Sequence, residues 1–287
     1  MAIGFDSVVQ SPRSDYAVLY ERRGTKGIVL CKGAFIREID RSFNLADDFD
    51  YPIALFDLPD GQPAIAHCPQ HHARLEIELL ETGERLTTSA TRELADIFHS
   101  GLVISPNGTT LMSAGWVWHP AYAVSIYGVA DVLGDPALLD SLDATLPTEA
   151  ELASATFLDD DHIALAANPN AENFGDEGDP DLIPHPGTLS VYRISTKTWE
   201  SSIPYSETAG MLHAVDAEHV LALHQYPKLV HLSTGKVVER WPEIPTGTWA
   251  GCIDVSGHNV PPLAWDAINK RLAIGTAAQI HVLSLVA

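Results

Sequence analysis

Residues 101–129, GLVISPNGTTLMSAGWVWHPAYAVSIYGV, decide the fold of this chain. They contain an apolar run, a tight turn, a second apolar run, a loop and a third apolar run. The turn is the tetrapeptide SPNG at 105–108, and apolar character resumes at Leu111 and Met112. Proline presets the backbone for such a turn, and glycine supplies the positive φ that closes it. The stretch therefore predicts an antiparallel hairpin followed by a third strand.

The same pattern recurs five more times along the chain. Related turns begin near residues 11, 58, 105, 158, 215 and 266, and each is followed by an apolar run. A spacing of about 47 to 57 residues, with several short strands in each unit, is typical of β-propellers. Second turns, such as ETG at 81–83 and STG at 233–235, predict the hairpins between third and fourth strands. We predict an all-β, six-bladed propeller of four-stranded antiparallel blades in one domain, residues 1–287. Seven blades are the alternative if strands lie within 242–262.

The turns carry a resemblance to known proteins. The SPNG turn at 105–108, the LPDG turn at 58–61 and the Thr-Gly hairpins resemble those of WD40-like and YncE-like β-propeller repeat proteins. The resemblance extends over nearly the whole chain. The Gly-His and Trp-Asp pairs of WD40 blades are missing at the expected places. The resemblance therefore implies the propeller architecture and no particular family.

The last repeat predicts how the ring closes. It ends with a third strand at 279–285 and has no fourth. An open strand edge promotes aggregation, so proteins usually cover one. We therefore expect residues 2–5 to supply the missing outer strand.

Composition limits the functional classes. The chain has 17 basic and 38 acidic residues, a net charge of −21, so its surface repels phosphate backbones and predicts no nucleic-acid partner. No apolar run reaches the roughly 18–20 residues of a membrane span, and the first residues do not resemble a signal peptide. Cys31, Cys68 and Cys252 are widely spaced, which is typical of reduced thiols. We expect a cytoplasmic protein with no membrane partner, and the sequence leaves its oligomeric state open.

Unusual residues concentrate in one set of loops. In a four-stranded blade, the loops between second and third strands share a face with the connections between blades. Aromatic, histidine and arginine side chains fall in those loops, and such side chains combine large contact area with polar groups. We predict that this face binds a protein partner, and the net charge favours a basic one. The candidate binding residues are Arg22, Arg23, His71, His72, Trp116, Trp118, His119, Tyr122, His185, Tyr226, Trp249 and His258.

Catalytic and metal motifs are weak. The nucleophile elbow, the zinc-protease motif, the phosphate-binding loop and the dinucleotide fingerprint do not occur in the sequence. His67, His71 and His72 next to Cys68 are a weak zinc candidate, because a tetrahedral site needs four ligands that converge. Acidic residues in the longest insertion match a calcium loop in composition but not in spacing: Asp176, Glu177, Asp179 and Asp181. The hypothesis is a non-catalytic interaction scaffold without a cofactor. A metal-assisted hydrolase or lactonase and a small-molecule binding module are the alternatives.

Overall fold

Six antiparallel sheets follow one another along the chain in the computed structural model. The structure describes residues 4–90, 92–117, 121–148, 150–171, 184–249 and 260–285. Contacts divide the chain into two units, Met1–Leu146 and Pro147–Ala287, and each contains three sheets. Six sheets match the six predicted repeats.

The first unit contains sheets 1, 2 and 3. Sheet 1 has the strands β1 (Ser7–Gln10), β2 (Tyr16–Tyr20), β3 (Lys26–Cys31) and β4 (Ala34–Asp40). Sheet 2 has β5 (Ile53–Asp57), β6 (Pro63–His67) and β7 (Glu76–Leu79). Sheet 3 has β8 (Ile97–Ile104), β9 (Thr110–Val117) and β10 (Ala121–Gly128). After β10 come helix α1 (Val129–Gly134) and two 3-10 helices, Pro136–Asp140 and Leu142–Ala144.

The second unit contains sheets 4, 5 and 6. Sheet 4 has β11 (Ser154–Phe157), β12 (His162–Ala167), β13 (Thr188–Arg193) and β14 (Thr198–Pro204). Sheet 5 has β15 (Leu212–Ala214), β16 (His219–Ala222), β17 (Lys228–His231) and β18 (Val237–Arg240). Sheet 6 has β19 (Leu263–Asp266), β20 (Arg271–Gly275) and β21 (Ile280–Ser284).

The predicted turns close the first hairpins as their residues require. Gly108 has a φ of 76°, and its N–H donates to Ser105 O at 2.9 Å. Gly61 has a φ of 83° and donates to Leu58 O at 2.8 Å in the same way. These are left-handed conformations that glycine adopts without the clash of a Cβ. The two turns are equivalent, which confirms the repeat read from the sequence.

The prediction of four strands in every blade is wrong for sheets 2 and 3. Beside β7, the Thr87 hydroxyl accepts the Ile77 N–H at 2.9 Å, so a side chain replaces the backbone partner after one bridge from Glu78 to Arg85. Beside β10, the chain first makes the helical excursion and returns for a single bridge at Thr145. Sheet 6 has three described strands, as expected. The predicted closing strand begins within residues 1–3, which lie outside the described residues, so that expectation stays a prediction.

Apolar clusters lie within each unit. In the first unit, one cluster includes Val18, Val29 and Ile65, and another includes Phe56 and Leu111. The second of these also takes in Val129 and Val132, which lie in helix α1 and are 1 % exposed. The excursion after β10 is therefore packed into the core. Among the described residues, no helix is long and apolar enough to cross a membrane.

Candidate functional site

A small pocket in the first unit is a candidate site. Its cavity volume is about 10 Å³, close to that of a single water molecule, and it is partly open to solvent. Three segments meet there: the connection between β4 and β5, the loop between β6 and β7, and the start of β8. We call it the His99 pocket. Its lining consists of Arg41, Ser42, Asn44, Leu45, Phe49, Pro52, Cys68, His72, Phe98 and His99.

Arg41 holds the connection between β4 and β5 in place. Its guanidinium donates to the carbonyl oxygens of five residues at 2.6–3.5 Å: Gly24, Asp50, Arg22, Ala46 and Phe49. Of its five N–H donors, Nε and Nη1 each donate to one carbonyl and the two of Nη2 serve three, so four of the five are used. Burial lowers the pKa of Arg41, and the group stays charged because that pKa starts from a very high value. Segment 42–50 is thus a preorganised loop.

Aromatic rings connect the three segments. The His72 ring stacks on Phe98 with centroids 4.1 Å apart, and on His71 at 4.2 Å. Phe98 also meets Phe49 at 5.0 Å and the edge of Trp116 at 5.6 Å. Such contacts add about 0.5–1.5 kcal/mol each beyond the burial of their area. The stack fixes the position of the His71–His72 pair above the start of β8.

Strand register extends the stack across sheet 3. Phe98 on β8 pairs with Trp116 on β9, and Trp116 pairs with Tyr122 on β10. Cross-strand partners share a face of the sheet. The register therefore makes a row of three aromatic residues that ends at the pocket.

His99 is a buried imidazole in the pocket wall. The residue is 3 % exposed, and its Nδ1 lies 2.7 Å from the Ser113 hydroxyl. Its Nε2 has no hydrogen-bond partner among the described residues. Burial lowers the pKa of His99 to about 3. The positive charge of Arg92 contributes less to this shift, and that of His72 contributes least. The ring is neutral at physiological pH, and its Nε2 is closed to solvent.

Buried ion pairs support the loop that carries His71 and His72. Arg92, whose side chain is fully buried, donates from Nε to Asp140 Oδ2 at 2.6 Å and from Nη2 to Asp140 Oδ1 at 2.7 Å. Arg92 Nη1 also lies 3.3 Å from Glu76 Oε2 on β7, and the Thr87 hydroxyl donates to the same carboxylate at 2.5 Å. The core thereby connects β7 to the helical excursion after β10.

A second carboxylate on β7 has its own partners. Glu78 lies 3.1 Å from Arg37 and Arg85 and 3.2 Å from His67 Nε2. Burial raises the pKa of Glu78, but the hydrogen bond and charge of His67 and the charges of the two arginines outweigh it and lower that pKa to about 2. His67 is 1 % exposed and is occupied by this carboxylate, so it does not join His71 and His72 in a metal site.

Residues close in sequence to the pocket lining are apolar and acidic. Phe43, between two lining residues, is 84 % exposed, and Leu45 is 40 % exposed with a φ of 51°. A non-glycine residue in the left-handed region is strained and persists where its surroundings fix it, as Arg41 does here. Asp47, two positions after Leu45, is exposed. Asp96 is also exposed, and its charge acts on His72. We call Phe43, Leu45, Asp47 and Asp96 the rim.

The structure brings six of the predicted binding residues to this part of the first unit. His71, His72 and Trp116 belong to the stack, and Tyr122 is the strand partner of Trp116. Arg22 and Arg23 follow β2, with their Nε atoms 3.5 and 4.0 Å from Asp50 Oδ1, at the end of the clamped loop. In this part of the first unit, loops that follow second strands therefore lie close to the connection between β4 and β5.

The remaining candidates lie elsewhere or outside the described residues. In the second unit, the Tyr226 ring lies 4.8 Å from Lys228 Nζ, and the Trp249 carbonyl is 3.0 Å from His224 Nδ1. The His185 carbonyl accepts a hydrogen bond from Thr188 at 2.6 Å. The residues not described by the structure include Trp118, His119, His258, Asp176, Glu177, Asp179 and Asp181.

Metal and nucleophile chemistry has little support in the described residues. No group of three or more His, Cys, Asp or Glu side chains converges there as metal ligands do. Cys68 is 1 % exposed, and burial raises the pKa of its thiol far above the usual value, so it is a thiol and not a thiolate. Asp57, at the end of β5, pairs with Arg13 at 3.0 Å.

Four important residues were missed by sequence reasoning: Arg41, Phe43, Phe98 and His99. His99 had a detectable signal, because a histidine interrupts the apolar run IFHSGLVI of β8. Phe43 and Leu45 also had one, since they are large apolar residues in a short acidic segment, FNLADDF. The role of Arg41 had none, because its partners are backbone carbonyls.

Comparisons with known proteins support the fold alone. No known family model matches the chain, and no curated protein matches its sequence. Among solved structures, the chain is similar to hydrazine synthase of Kuenenia stuttgartiensis, with a TM-score of 0.58, 12 % identity and coverage of 97 % of this chain and 82 % of that one. It is similar to U3-55K, with a TM-score of 0.55, 14 % identity and coverage of 97 % and 90 %.

A further match is Hsv2 of Kluyvelomyces marxianus, with a TM-score of 0.52, 9 % identity and coverage of 100 % of this chain and 78 % of that one. Hsv2 and U3-55K are β-propellers of the WD40 type. The all-β chain with six antiparallel sheets therefore has the β-propeller fold, as the repeat predicted.

Proposed function

We propose that this protein is a non-catalytic interaction scaffold that binds a protein partner through the rim of the His99 pocket. The observation that carries the proposal is the exposure of Phe43, 84 %, on a loop that Arg41 holds by five carbonyl contacts. An exposed aromatic side chain on a fixed loop binds without a large ordering cost, and aromatic residues are enriched at interaction hot spots. β-Propellers often serve as scaffolds, and the fold is consistent with this role.

The chemistry of the rim indicates the kind of partner. Phe43 and Leu45 offer apolar surface, and Asp47 and Asp96 place negative charge beside it. The whole chain carries a net charge of −21, which attracts cationic partners over a longer distance. The partner we propose is therefore a protein segment in which an apolar residue is flanked by lysine or arginine.

Site-specific photo-crosslinking tests this proposal. A photoreactive phenylalanine analogue is placed at position 43 and, in a matched control, at position 35, because Phe35 is also exposed, at 61 %, in the hairpin between β3 and β4. We expect one defined protein to be crosslinked from position 43 and not from position 35. The crosslinked segment should contain an apolar residue with basic neighbours. A segment rich in acidic residues, or equal crosslinking from both positions, would contradict the proposal.

A further inference from the structure

Two equivalent hairpins in the second unit place a histidine at the start of a second strand. His162 begins β12 and His219 begins β16, and each follows an aspartate by three positions. The Nδ1 atoms lie 2.9 Å from an oxygen of Asp159 and of Asp216, respectively. An ionised carboxylate only accepts hydrogen bonds, so each Nδ1 carries the proton. In the neutral ring, Nε2 therefore keeps a lone pair.

The two hairpins differ in the group that faces this lone pair. The strand partner of His162 is Arg193 on β13, and its Nε donates to His162 Nε2 at 3.0 Å. The strand partner of His219 is a second histidine, His231 on β17. Among the described residues, the hydrogen bond of the His219 ring is the one to Asp216. The His219 side chain is 23 % exposed, so ions in solution can reach it.

The rings of His219 and His231 are spaced as two ligands of one metal ion would be. They lie on the same face of sheet 5 as strand partners, and their centroids are 5.0 Å apart. Two imidazoles that bind one ion at about 2.0–2.1 Å and at an angle of about 90–110° have ring centres about 4.5–5.2 Å apart. His231 Nδ1 lies 3.2 Å from both the backbone nitrogen and the hydroxyl of Ser233, which leaves Nε2 on the far side of the ring.

The surrounding groups suit a metal site. Histidines that bind metals usually donate their other ring N–H to a carboxylate or another acceptor, as His219 does to Asp216. For His231, the Ser233 hydroxyl can accept in the same way once Nδ1 carries the proton. Imidazole nitrogens favour Zn²⁺, Cu²⁺ and Ni²⁺ over Ca²⁺ and Mg²⁺. Asp216 and Glu218 are exposed beside the pair, and their negative charge attracts cations.

We infer that His219 and His231 bind a divalent transition-metal ion through their Nε2 atoms, with Cu²⁺ held more tightly than Zn²⁺. The site lies in the second unit and goes beyond the proposed function, which concerns the first. The described residues supply no third histidine, cysteine or carboxylate to it. Water therefore completes the coordination, and the ion exchanges with solvent, unlike the ion of a structural zinc site with four protein ligands.

A Zn²⁺ titration of the intact protein tests the inference, in a buffer that does not bind metals. Two-bond proton–nitrogen NMR spectra show the imidazole nitrogens of each histidine and the position of its proton. We expect the signals of His219 and His231 to change together and to saturate at one equivalent, before those of His162, whose Nε2 already has a donor. The His231 ring should change from the Nε2–H form to the Nδ1–H form. Cu²⁺ should displace the bound Zn²⁺.

Variants show whether the two rings share one ion. His219→Gln should weaken Zn²⁺ binding at His231 by at least about tenfold, because a single imidazole remains. His162→Gln, at the equivalent position of sheet 4, is the matched control and should leave the affinity unchanged. Thermal melts check that both variants fold, and the titration of the wild-type protein does not depend on them.

Three results would overturn the inference. The first is a titration in which neither ring of the pair responds, or in which other histidines respond first. The second is a response of His219 and His231 at different Zn²⁺ concentrations. The third is an unchanged affinity in His219→Gln, which would mean that His231 binds the ion alone.

Discussion

Replacing Arg92 by methionine should strongly destabilise the first unit. The Arg92 side chain is fully buried and makes two contacts with Asp140, at 2.6 and 2.7 Å, and one with Glu76, at 3.3 Å. Methionine keeps much of the side-chain length but leaves the buried Asp140 carboxylate without its cation, whereas Glu76 keeps its contact with Arg74 at 2.6 Å. Removing one partner of a buried ion pair costs about 3–5 kcal/mol. For a protein of this size, that lowers the melting temperature by about 9–15 °C, at roughly 3 °C per kcal/mol.

The assay is urea unfolding followed by circular dichroism, with a thermal melt as a second measurement. The matched control is Arg271→Met, which breaks a pair with Asp266 at 2.9 Å in which the two side chains are 52 % and 36 % exposed. We expect no measurable change for the control, because exposed ion pairs contribute little. Adding Asp140→Leu to Arg92→Met should recover part of the loss, because it removes the stranded charge. A loss below about 1 kcal/mol for Arg92→Met would refute the view that this network holds β7 to the excursion after β10.

Three further predictions follow from single residues. The pKa of Glu78 is about 2, so its contribution to stability is complete above the ordinary glutamate pKa near 4.5 and is lost as the pH falls toward 2. Glu78→Gln should therefore flatten the acid limb of a stability–pH curve measured by urea midpoints. An unchanged acid limb would contradict this prediction. Arg41→Met should speed amide hydrogen exchange across 42–50 while strands β2 and β3 stay protected, whereas uniform loss of protection would show that Arg41 holds more than the loop. Gly108→Ala should lower the free energy of unfolding by about 1–2 kcal/mol, because φ at this position is 76°. In the control Gly134→Ala, the added Cβ meets no atom within 4 Å, so the free energy of unfolding should not change. Equal effects of the two substitutions would refute the assigned turn.

The fold could be predicted from the sequence because local chemistry sets its hairpins. Proline and glycine at 106 and 108 specify a turn, and equivalent turns recur at a regular interval. The number of strands in each sheet could not be predicted in the same way. In sheet 2 the fourth strand is cut short because the Thr87 hydroxyl takes a backbone N–H of β7, and that contact depends on packing.

The candidate site was predicted in outline and not in detail. The aromatic and histidine residues of the loops were evident from composition, and they do meet at the start of β8. Their meeting point was not evident, since Phe98 and His72 are 26 positions apart, the first in strand β8 of sheet 3 and the second in the loop between β6 and β7 of sheet 2. Arg92 and Asp140 are 48 positions apart, and a single sequence gives no signal that links them. Contacts that depend on how neighbouring sheets pack leave no local pattern.

The affinity of the crosslinked partner for rim variants tests the central claim most directly. Isothermal titration calorimetry would compare the wild-type protein with Phe43→Ser and with Phe35→Ser, a control of the same chemistry on another hairpin. If Phe43 is the anchor, Phe43→Ser should weaken binding by about 30-fold or more without changing the melting temperature. Phe35→Ser should leave the affinity unchanged. Added salt should weaken binding of a basic partner to the acidic rim. Equal affinities for the wild type and Phe43→Ser would contradict the claim that this protein binds its partner through the rim of the His99 pocket.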